Sequence, residues 1–301
     1  MAEAAKRYAV VTGSNKGIGF GICKQLASNG ITVVLTAIVE KEGLEAVEKL
    51  KEIGLSGCVV FHQLDVTDPA SIISLSEFVK TRFGKLDILV NNAGIPGANV
   101  DFDAVAASAS GVGGPEKGTI NIDWSKIITQ NYESIEQAIE INFYGAKGTT
   151  KALIPLLQLS DSPRIVNVSS SMGKLEQIPN GRPREVLSDV ENLTEEILDE
   201  VLSEFLKACK ECSLETKGWP ASMSGYIVSK AALNCYTRIL AKKYPSFCIN
   251  SVCPGYVKTD INNNTGLLSV DEGAESPVRL ALLPNGAPSG LFFSRKEVEP
   301  F

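Results

Sequence analysis

Tyr226 and Lys230 lie four residues apart in a stretch predicted to be helical, so a phenol and an ammonium group share one face of that helix. A phenol with its ordinary pKa of about 10 exchanges protons poorly at neutral pH. A cation at this spacing favours the phenolate and is expected to lower that pKa towards the working range. The pair could therefore act as a proton donor or acceptor. Because the same spacing more often marks a solvated pair on a helix surface, other parts of the sequence must decide between these interpretations.

A glycine-rich loop follows the first predicted strand and opens the first predicted helix. Its glycines, Gly13, Gly17 and Gly19, have the spacing Gly-x-x-x-Gly-x-Gly. Glycines allow a tight turn and let backbone N–H groups approach a pyrophosphate, and the helix N-terminus favours the negative charge. The other loop residues expected to line this phosphate site are Asn15, Lys16 and Ile18. The place of the loop at the start of a strand–helix series predicts dinucleotide binding.

Two further turns follow predicted strands at the edge of the sheet where a dinucleotide would bind. Asp65 and Val66 follow the third strand, and the Asp65 carboxylate can accept a hydrogen bond from an adenine amino group. Asn91, Ala93 and Gly94 follow the fourth strand, and the small residues among them permit close approach to a ribose. Each turn taken singly could be ordinary turn chemistry. Together with the glycine-rich loop, they are expected to line one crevice.

Runs of β-branched residues alternate with amphipathic stretches along most of the chain. The predicted strands are residues 8–12, 31–36, 59–64, 86–90, 164–169 and 247–253. The predicted helices are residues 18–28, 44–51, 69–83, 133–157 and 222–243. This alternation predicts an α/β protein, a single Rossmann-type domain over residues 1–301 with a doubly wound parallel sheet and helices on both faces.

Two segments, at about residues 95–130 and 173–218, interrupt the alternation and are predicted to be insertions that form a lid near the active site. The second contains a predicted helix that Thr194 can cap and that carries an apolar stripe at helical spacing. That stripe can pack onto the body of the fold, cover a pocket, or do both.

Charge and composition limit the classes of partner. The net charge of -6 argues against nucleic acid or an anionic membrane surface as the main partner. No apolar run approaches the roughly 18 residues that cross a bilayer, and the first strand begins too early to leave room for a signal peptide. The seven cysteines suit reduced thiols in the cytoplasm. Cys209 and Cys212 form a Cys-x-x-Cys pair without a second pair at metal-ligand spacing, so no metal site is predicted.

In combination, these motifs resemble the short-chain dehydrogenase/reductase family. They are Thr12-Gly-x-x-x-Gly-x-Gly19, Asn91-Asn-Ala-Gly94, Asn142, Ser170, Tyr226-x-x-x-Lys230 and the turn from Pro254 to Thr259, in this order over nearly the whole chain. A plant branch of the family that contains salutaridine reductase and the menthone/neomenthol reductases is a closer match. The stretches that resemble this branch are residues 61–68, 153–159 and 163–170 and the segment between residues 170 and 226.

The resemblance implies a catalytic tetrad of Asn142, Ser170, Tyr226 and Lys230. Ser170 is chosen among three successive serines because the serine of the family lies three residues before a glycine, here Gly173. In this scheme Tyr226 donates a proton to the substrate oxygen while the nicotinamide supplies hydride. Ser170 would stabilise the developing charge on that oxygen. Lys230 would lower the pKa of Tyr226 and bind the nicotinamide ribose, and Asn142 would hold a water that replenishes the proton.

The resemblance leaves the choice of cofactor open between NADP(H) and NAD(H). At the end of the second predicted strand, residues 36–38 are Thr, Ala and Ile; NAD-specific members carry an acidic residue there, and NADP-specific members usually carry an arginine where Ile38 stands. Lys16 is a basic residue expected near a 2′-phosphate, so NADPH with relaxed discrimination is favoured. Lys41 is a second basic residue within possible reach. The resemblance adds Pro254, Gly255, Val257 and Thr259 to the expected cofactor contacts.

The expected substrate is an apolar ketone or alcohol of terpenoid or alkaloid type. The residues expected to contact it, besides Ser170 and Tyr226, are Met172, Trp219 and Met223. The resemblance thus predicts an alcohol dehydrogenase working as a carbonyl reductase. The alternatives are an enone C=C double-bond reductase and a non-catalytic NADP(H)-binding sensor. Family members often pair through two helices that the first insertion is expected to cover, so the chain is expected to be a monomer.

Overall fold

The computed structural model describes residues 6–101 and 127–301. Its strands are β1 (Tyr8–Val11), β2 (Thr32–Ala37), β3 (Val59–Gln63), β4 (Ile88–Asn91), β5 (Asn99–Val100), β6 (Ile128–Thr129), β7 (Arg164–Val168), β8 (Cys248–Cys253), β9 (Phe292–Ser294) and β10 (Glu297–Glu299). Its α-helices are α1 (Gly17–Ser28), α2 (Glu40–Leu50), α3 (Pro69–Phe83), α4 (Tyr132–Ile139), α5 (Ala146–Leu157), α6 (Arg182–Ser188), α7 (Glu195–Lys210), α8 (Ser224–Lys243) and α9 (Val270–Ala281). A π-helical turn, Glu140–Gly145, joins α4 to α5.

Eight strands form one sheet in the order β10-β9-β8-β7-β4-β1-β2-β3, and all neighbours are parallel except β9 and β10. Val11 of β1 pairs with Leu35 of β2 and with Val90 of β4, so the carboxyl ends of these strands lie level. The chain winds outwards in both directions from β1, which opens a crevice at that edge. The predicted doubly wound α/β fold is confirmed.

Apolar side chains fill both faces of the sheet. Ile22 of α1 and Val278 of α9 are buried on one face. Leu75 of α3, Leu153 of α5 and Val228 of α8 are buried on the other. This two-sided core explains why the central strands are almost continuously apolar, since each strand is covered above and below. Among the helices of the described residues, none is long and apolar enough to cross a membrane.

The second insertion packs onto the body of the fold. Its helix α7 lies against α4 and α8 and buries Leu198, Leu202 and Phe205 there. The Thr194 hydroxyl accepts a hydrogen bond from the Ile197 N–H at 3.3 Å and caps α7, as the sequence predicts. In the described residues α7, from the second insertion, therefore packs on parts of the two helices that follow the fourth and fifth predicted strands, through which family members are expected to pair.

The first insertion is described only at its two ends, where Asn99–Val100 pairs with Ile128–Thr129 as an antiparallel ladder. The rest of the predicted segment, residues 102–126, lies outside the described residues. The expectation that the first insertion covers the pairing helices falls on these residues and stays a prediction.

Charged groups also fasten α7 to the body. Glu195 is only 8% exposed, and its carboxylate lies 2.8 Å from the Lys151 ammonium of α5 and 3.0 Å from that of Lys243 of α8. Burial acts to raise the pKa of Glu195, but hydrogen bonds from Lys151 and Lys243 outweigh it and hold the pKa below its usual range. Asp199, one turn along, contacts Lys147 at 2.6 Å. The first turn of α7 is therefore attached electrostatically as well as by apolar packing.

Glu195→Gln is expected to lower the free energy of unfolding at pH 7 by about 1–2 kcal/mol, because two lysines lose a buried charged partner. The folded pKa lies below that of the unfolded chain. The stabilisation is therefore complete above about pH 5 and is lost as the pH falls through the folded pKa. Urea unfolding at pH 7 and at pH 3.5 measures both effects. Glu191→Gln is the matched control, because the Glu191 carboxylate is 85% exposed and lies 3.3 Å from the Lys242 ammonium. This variant should change the free energy of unfolding little. An equal loss at both pH values would contradict the assignment.

Candidate active site

The glycine-rich loop forms a close cradle between β1 and α1. Gly13 and Gly17 have φ angles of +58° and +55°, which side chains with a Cβ rarely adopt. A Cβ on Gly19 would lie 2.5 Å from the Asn92 side-chain nitrogen. Only glycine therefore fits at this position. On Gly17, a Cβ would lie 3.4 Å from the Thr259 methyl group, so the Pro-Gly turn faces the loop across the crevice. This cradle fits the pyrophosphate of a dinucleotide.

The turn after β4 is bound to the end of β1. The Thr12 hydroxyl oxygen accepts hydrogen bonds from the N–H groups of Asn92 at 2.9 Å and Ala93 at 3.0 Å. The Asn92 amide donates to the carbonyl oxygens of Thr12 at 3.0 Å and Gly13 at 2.9 Å. The two predicted cofactor loops are therefore one hydrogen-bonded unit.

Not every residue predicted to bind the cofactor directs its side chain into the crevice. The Asn91 side chain is buried and donates to Thr150 at 2.9 Å and to Asn167 at 2.8 Å. The Asp65 carboxylate accepts hydrogen bonds from the N–H and hydroxyl of Thr67. Val66 is buried too. The Asn91 side chain thus joins strands β4 and β7 beneath the site.

The sequence-predicted tetrad residues converge at the carboxyl ends of β4 and β7. Asn142 lies in the π-helical turn; its side-chain oxygen accepts from the Ile95 N–H at 2.8 Å, and its nitrogen donates to the Ile95 carbonyl at 2.9 Å. The same nitrogen donates to the Ser229 hydroxyl at 2.9 Å, and that hydroxyl donates to the Tyr226 carbonyl at 2.9 Å. A π-turn turns a side chain out of register with its helix, which is what lets Asn142 join the β4 loop to α8.

Lys230 reaches from α8 towards both strands. Its ammonium donates to the Val168 carbonyl at 2.9 Å, and it lies 5.8 Å from the centre of the Tyr226 ring. A Cβ on Gly94 would lie 3.4 Å from it. Burial lowers the pKa of Lys230 to about 8. The charge on this lysine is therefore sensitive to pH in the physiological range.

Tyr226 and Ser170 form the part of the site that can exchange a proton. Burial raises the pKa of Tyr226 to about 12, and a hydrogen bond with Ser170 acts in the opposite direction. The net shift of the Tyr226 pKa is therefore opposite to the lowering expected from Lys230, because burial disfavours the phenolate and is the largest cause of the shift. Ser170 also accepts from the Met172 N–H at 3.1 Å. At neutral pH Tyr226 is therefore a protonated phenol, the form that donates a proton.

The predicted substrate contacts divide into two groups. Met172 and Met223 are partly exposed beside the tetrad, and Met223 has a φ of +51° immediately before α8. Trp219 is only 2% exposed and lies edge-on to Phe205 of α7, with ring centres 5.0 Å apart. Trp219 therefore lies in the core, where it joins the second insertion to the body, whereas the two methionines adjoin Ser170 and Tyr226 along the chain.

Gln130 is a contact of the catalytic helix that sequence reasoning missed. Its side-chain oxygen accepts from the Ser224 N–H at 3.0 Å, and its nitrogen donates to the Ala221 carbonyl at 2.6 Å. Met223 precedes the helix and cannot cap it as Ser or Asp would, so Gln130 supplies the missing acceptor. No local pattern could have shown a contact across 94 residues.

The end of the crevice near β2 carries the groups expected to choose the cofactor. The Ile38 side chain is 60% exposed there. The Lys16 ammonium lies 2.7 Å from the Asp260 carboxylate, and both side chains are 66% exposed. That hydrogen bond raises the pKa of Lys16, so the lysine is charged. The Asn15 amide donates to Glu42 at 2.8 Å.

Similarity to known proteins agrees with this geometry. Residues 7–181 match the family model described as short chain dehydrogenase. The chain is 60% identical to (+)-neomenthol dehydrogenase of Arabidopsis thaliana over the full length of both. It is 36% identical to carbonyl reductase [NADPH] 1 of Rattus norvegicus, covering 97% of this chain and 98% of the relative. The solved structure of salutaridine reductase from Papaver somniferum aligns with a TM-score of 0.88 and 52% identity, covering 96% of this chain and 99% of that one.

Proposed function

The chain belongs to the short-chain dehydrogenase/reductase family, and from that premise we propose that it is an NADPH-dependent carbonyl reductase for a ketone on a terpenoid- or alkaloid-like substrate. As a member of the family it is an oxidoreductase that acts on carbonyl or alcohol groups. The names of its relatives, which refer to neomenthol and salutaridine, support the substrate class. The observation that carries the proposal is the convergence of Tyr226, Ser170 and Lys230 beside a dinucleotide cradle.

In the proposed mechanism the protein positions the substrate and supplies a proton, and a bound nicotinamide would supply the hydride. Tyr226 donates its phenolic proton to the carbonyl oxygen as that oxygen gains negative charge. Ser170 donates a hydrogen bond to the same oxygen. Lys230 stabilises the phenolate left behind, and Asn142 fixes the loop and the helix that carry the site.

The residues that would hold the cofactor follow the crevice. The glycine cradle and Thr259 would hold the pyrophosphate, and Gly94 and Lys230 would lie at the nicotinamide ribose. Asp65 would lie at the adenine. Lys16 supports NADPH, as does a relative whose name includes that cofactor. Since Ile38 supplies no charge at the end of β2, NADH would also be accepted.

Apolar side chains support an apolar substrate. Met172 and Met223 lie beside the tetrad, and Tyr256, Ile261 and Leu267 are exposed in the segment after the Pro-Gly turn. Leu267 alone is 82% exposed. A substrate without charge would cover these groups and gain the free energy of apolar burial.

We expect purified protein with NADPH to reduce cyclic monoterpenoid ketones to single alcohol stereoisomers. Loss of NADPH absorbance measures turnover, and chiral chromatography identifies the product. With an α,β-unsaturated ketone as substrate, the expected product is the allylic alcohol. A saturated ketone as the product would instead indicate a double-bond reductase. Tight binding of NADPH without turnover of any ketone in the panel would favour the sensor.

We also propose that the protein is a monomer. Helix α7 packs on α4 and α8, through which members of the family are expected to pair, and buries Leu198, Leu202 and Phe205 there. A second copy could reach the faces under α7 only if α7 moved away. The predicted cytoplasmic location stays a prediction from the sequence.

A further inference from the structure

A carboxylate lies beside the phosphate loop where the choice between NADPH and NADH is made. Glu42 lies in the first turn of α2, and its side chain accepts a hydrogen bond from the Asn15 amide at 2.8 Å. Asn15 lies in the glycine-rich loop between Gly13 and Gly17. The hydrogen bond therefore holds the carboxylate at the loop, although it belongs to another element.

Glu42 lies in the part of the chain expected to contact the adenosine ribose of a bound dinucleotide. In doubly wound folds an acidic residue about 20 residues beyond the glycine-rich loop binds the ribose 2′-hydroxyl, and a basic residue there accommodates a 2′-phosphate. Glu42 follows Gly19 by 23 residues. Ile38 follows the last residue of β2, and its exposed apolar side chain cannot accept a hydrogen bond from a hydroxyl, whereas the Glu42 carboxylate can.

The basic residues nearby already have acidic partners. Lys16 lies 2.7 Å from Asp260, and Glu42 is a further negative charge acting on it. Lys41 lies 4.0 Å from Glu45 one turn along α2. A 2′-phosphate would have to draw Lys16 away from Asp260 and also approach Glu42. The cationic character on which NADPH preference depends is therefore largely compensated within the protein.

We propose that Glu42 is a specificity-determining residue that opposes the 2′-phosphate of NADP(H) and accepts a hydrogen bond from the 2′-hydroxyl of NAD(H). The inference rests on the proposed function in one respect, that the crevice binds a nicotinamide dinucleotide. Its consequence is that the two cofactors bind with similar affinity, because attraction by Lys16 and repulsion by Glu42 act on the same phosphate.

Equilibrium binding of NADP⁺ and NAD⁺, measured by isothermal titration calorimetry, tests the proposal without a substrate. Glu42→Gln keeps an oxygen that can accept from Asn15 but removes the charge. We expect it to tighten NADP⁺ binding about tenfold, or about 1.4 kcal/mol, and to weaken NAD⁺ binding about twofold. The gain for NADP⁺ should shrink at 0.5 M salt, since the effect is coulombic.

Glu48→Gln is the matched control, because Glu48 is an exposed carboxylate of the same helix more than a turn further from the loop. It should leave the ratio of the two affinities within about twofold of wild type, and circular dichroism of both variants checks the fold. If both dinucleotides bind but Glu42→Gln changes their ratio no more than Glu48→Gln does, the role of Glu42 is overturned while the proposed function stands. If neither dinucleotide binds the wild-type protein, the proposed function itself fails, and the inference with it.

Discussion

Tyr226→Phe is expected to lower kcat for ketone reduction roughly a thousandfold, within the range that general acid catalysis contributes. The substitution removes one oxygen and its proton and keeps the ring. Burial gives the phenol a pKa of about 12, so in the wild-type protein the proton is present throughout the neutral range. Without it, the oxygen of the substrate must take its proton from water while negative charge develops on it. The affinity for the dinucleotide should change less than about threefold, because the cradle formed by Gly13, Gly17 and Gly19 is untouched.

Two measurements separate these effects: steady-state kinetics with NADPH and a ketone that the wild-type protein reduces, and calorimetric binding of NADP⁺. Tyr244→Phe, the same chemical change at the C-terminal end of α8, is the control and should retain wild-type turnover. Turnover of Tyr226→Phe within tenfold of wild type would show that another group donates the proton. Loss of NADP⁺ binding in that variant would show that the substitution had disturbed the crevice.

Lys230→Met is expected to lower kcat by about two to three orders of magnitude and to change the pH profile. The methionine has a similar length but supplies neither the charge that stabilises the phenolate of Tyr226 nor the donor that binds the Val168 carbonyl. Because burial lowers the pKa of Lys230 to about 8, the ammonium is the main form below that pH and is lost above it. The wild-type rate of reduction should therefore fall as the pH rises through about 8.

The pH dependence distinguishes an electrostatic role for Lys230 from simple packing. We expect the inflection near pH 8 in kcat to be absent from Lys230→Met, and we expect NADPH binding to weaken, because the lysine also lies close to Gly94 at the expected ribose site. Lys242→Met, on the same helix and partly exposed beside Glu191, should leave both properties unchanged. A variant that keeps the wild-type inflection would assign the titration to another group.

The sequence predicted the architecture correctly because that architecture depends on local patterns. Alternating apolar runs and amphipathic stretches, separated by turns, are sufficient to indicate parallel strands with helices between them. The loop from Gly13 to Gly19 could be placed for the same reason, since a strand, a glycine-rich turn and a helix follow one another in the chain. Thr194 as the cap of α7 is another local signal that the structure bears out.

Contacts between distant parts of the chain could not be predicted in the same way. Nothing in the spacing of Gln130 indicates that it caps the catalytic helix, and nothing near Glu195 indicates that Lys151 and Lys243 surround it. Trp219 lies close to Tyr226 in sequence and was therefore expected to contact the substrate, yet its ring is buried against α7. The contacts of Glu195 and Trp219 depend on how the second insertion folds back onto the body, whereas Gln130 reaches α8 from the end of the first insertion.

The sequence by itself determined the fold class, the dinucleotide crevice and the residue types that can perform the chemistry, because motifs of a few residues carry that information. Only the tertiary structure decided the electrostatics of those residues. Burial, which the spacing of Tyr226 and Lys230 does not reveal, raises the pKa of the phenol and lowers that of the ammonium. The tertiary structure also placed Glu42 and Asp260 beside the loop residues Asn15 and Lys16. The physical reason is that a pKa and a charge balance depend on solvent and neighbours in three dimensions, whereas a motif records only order along the chain.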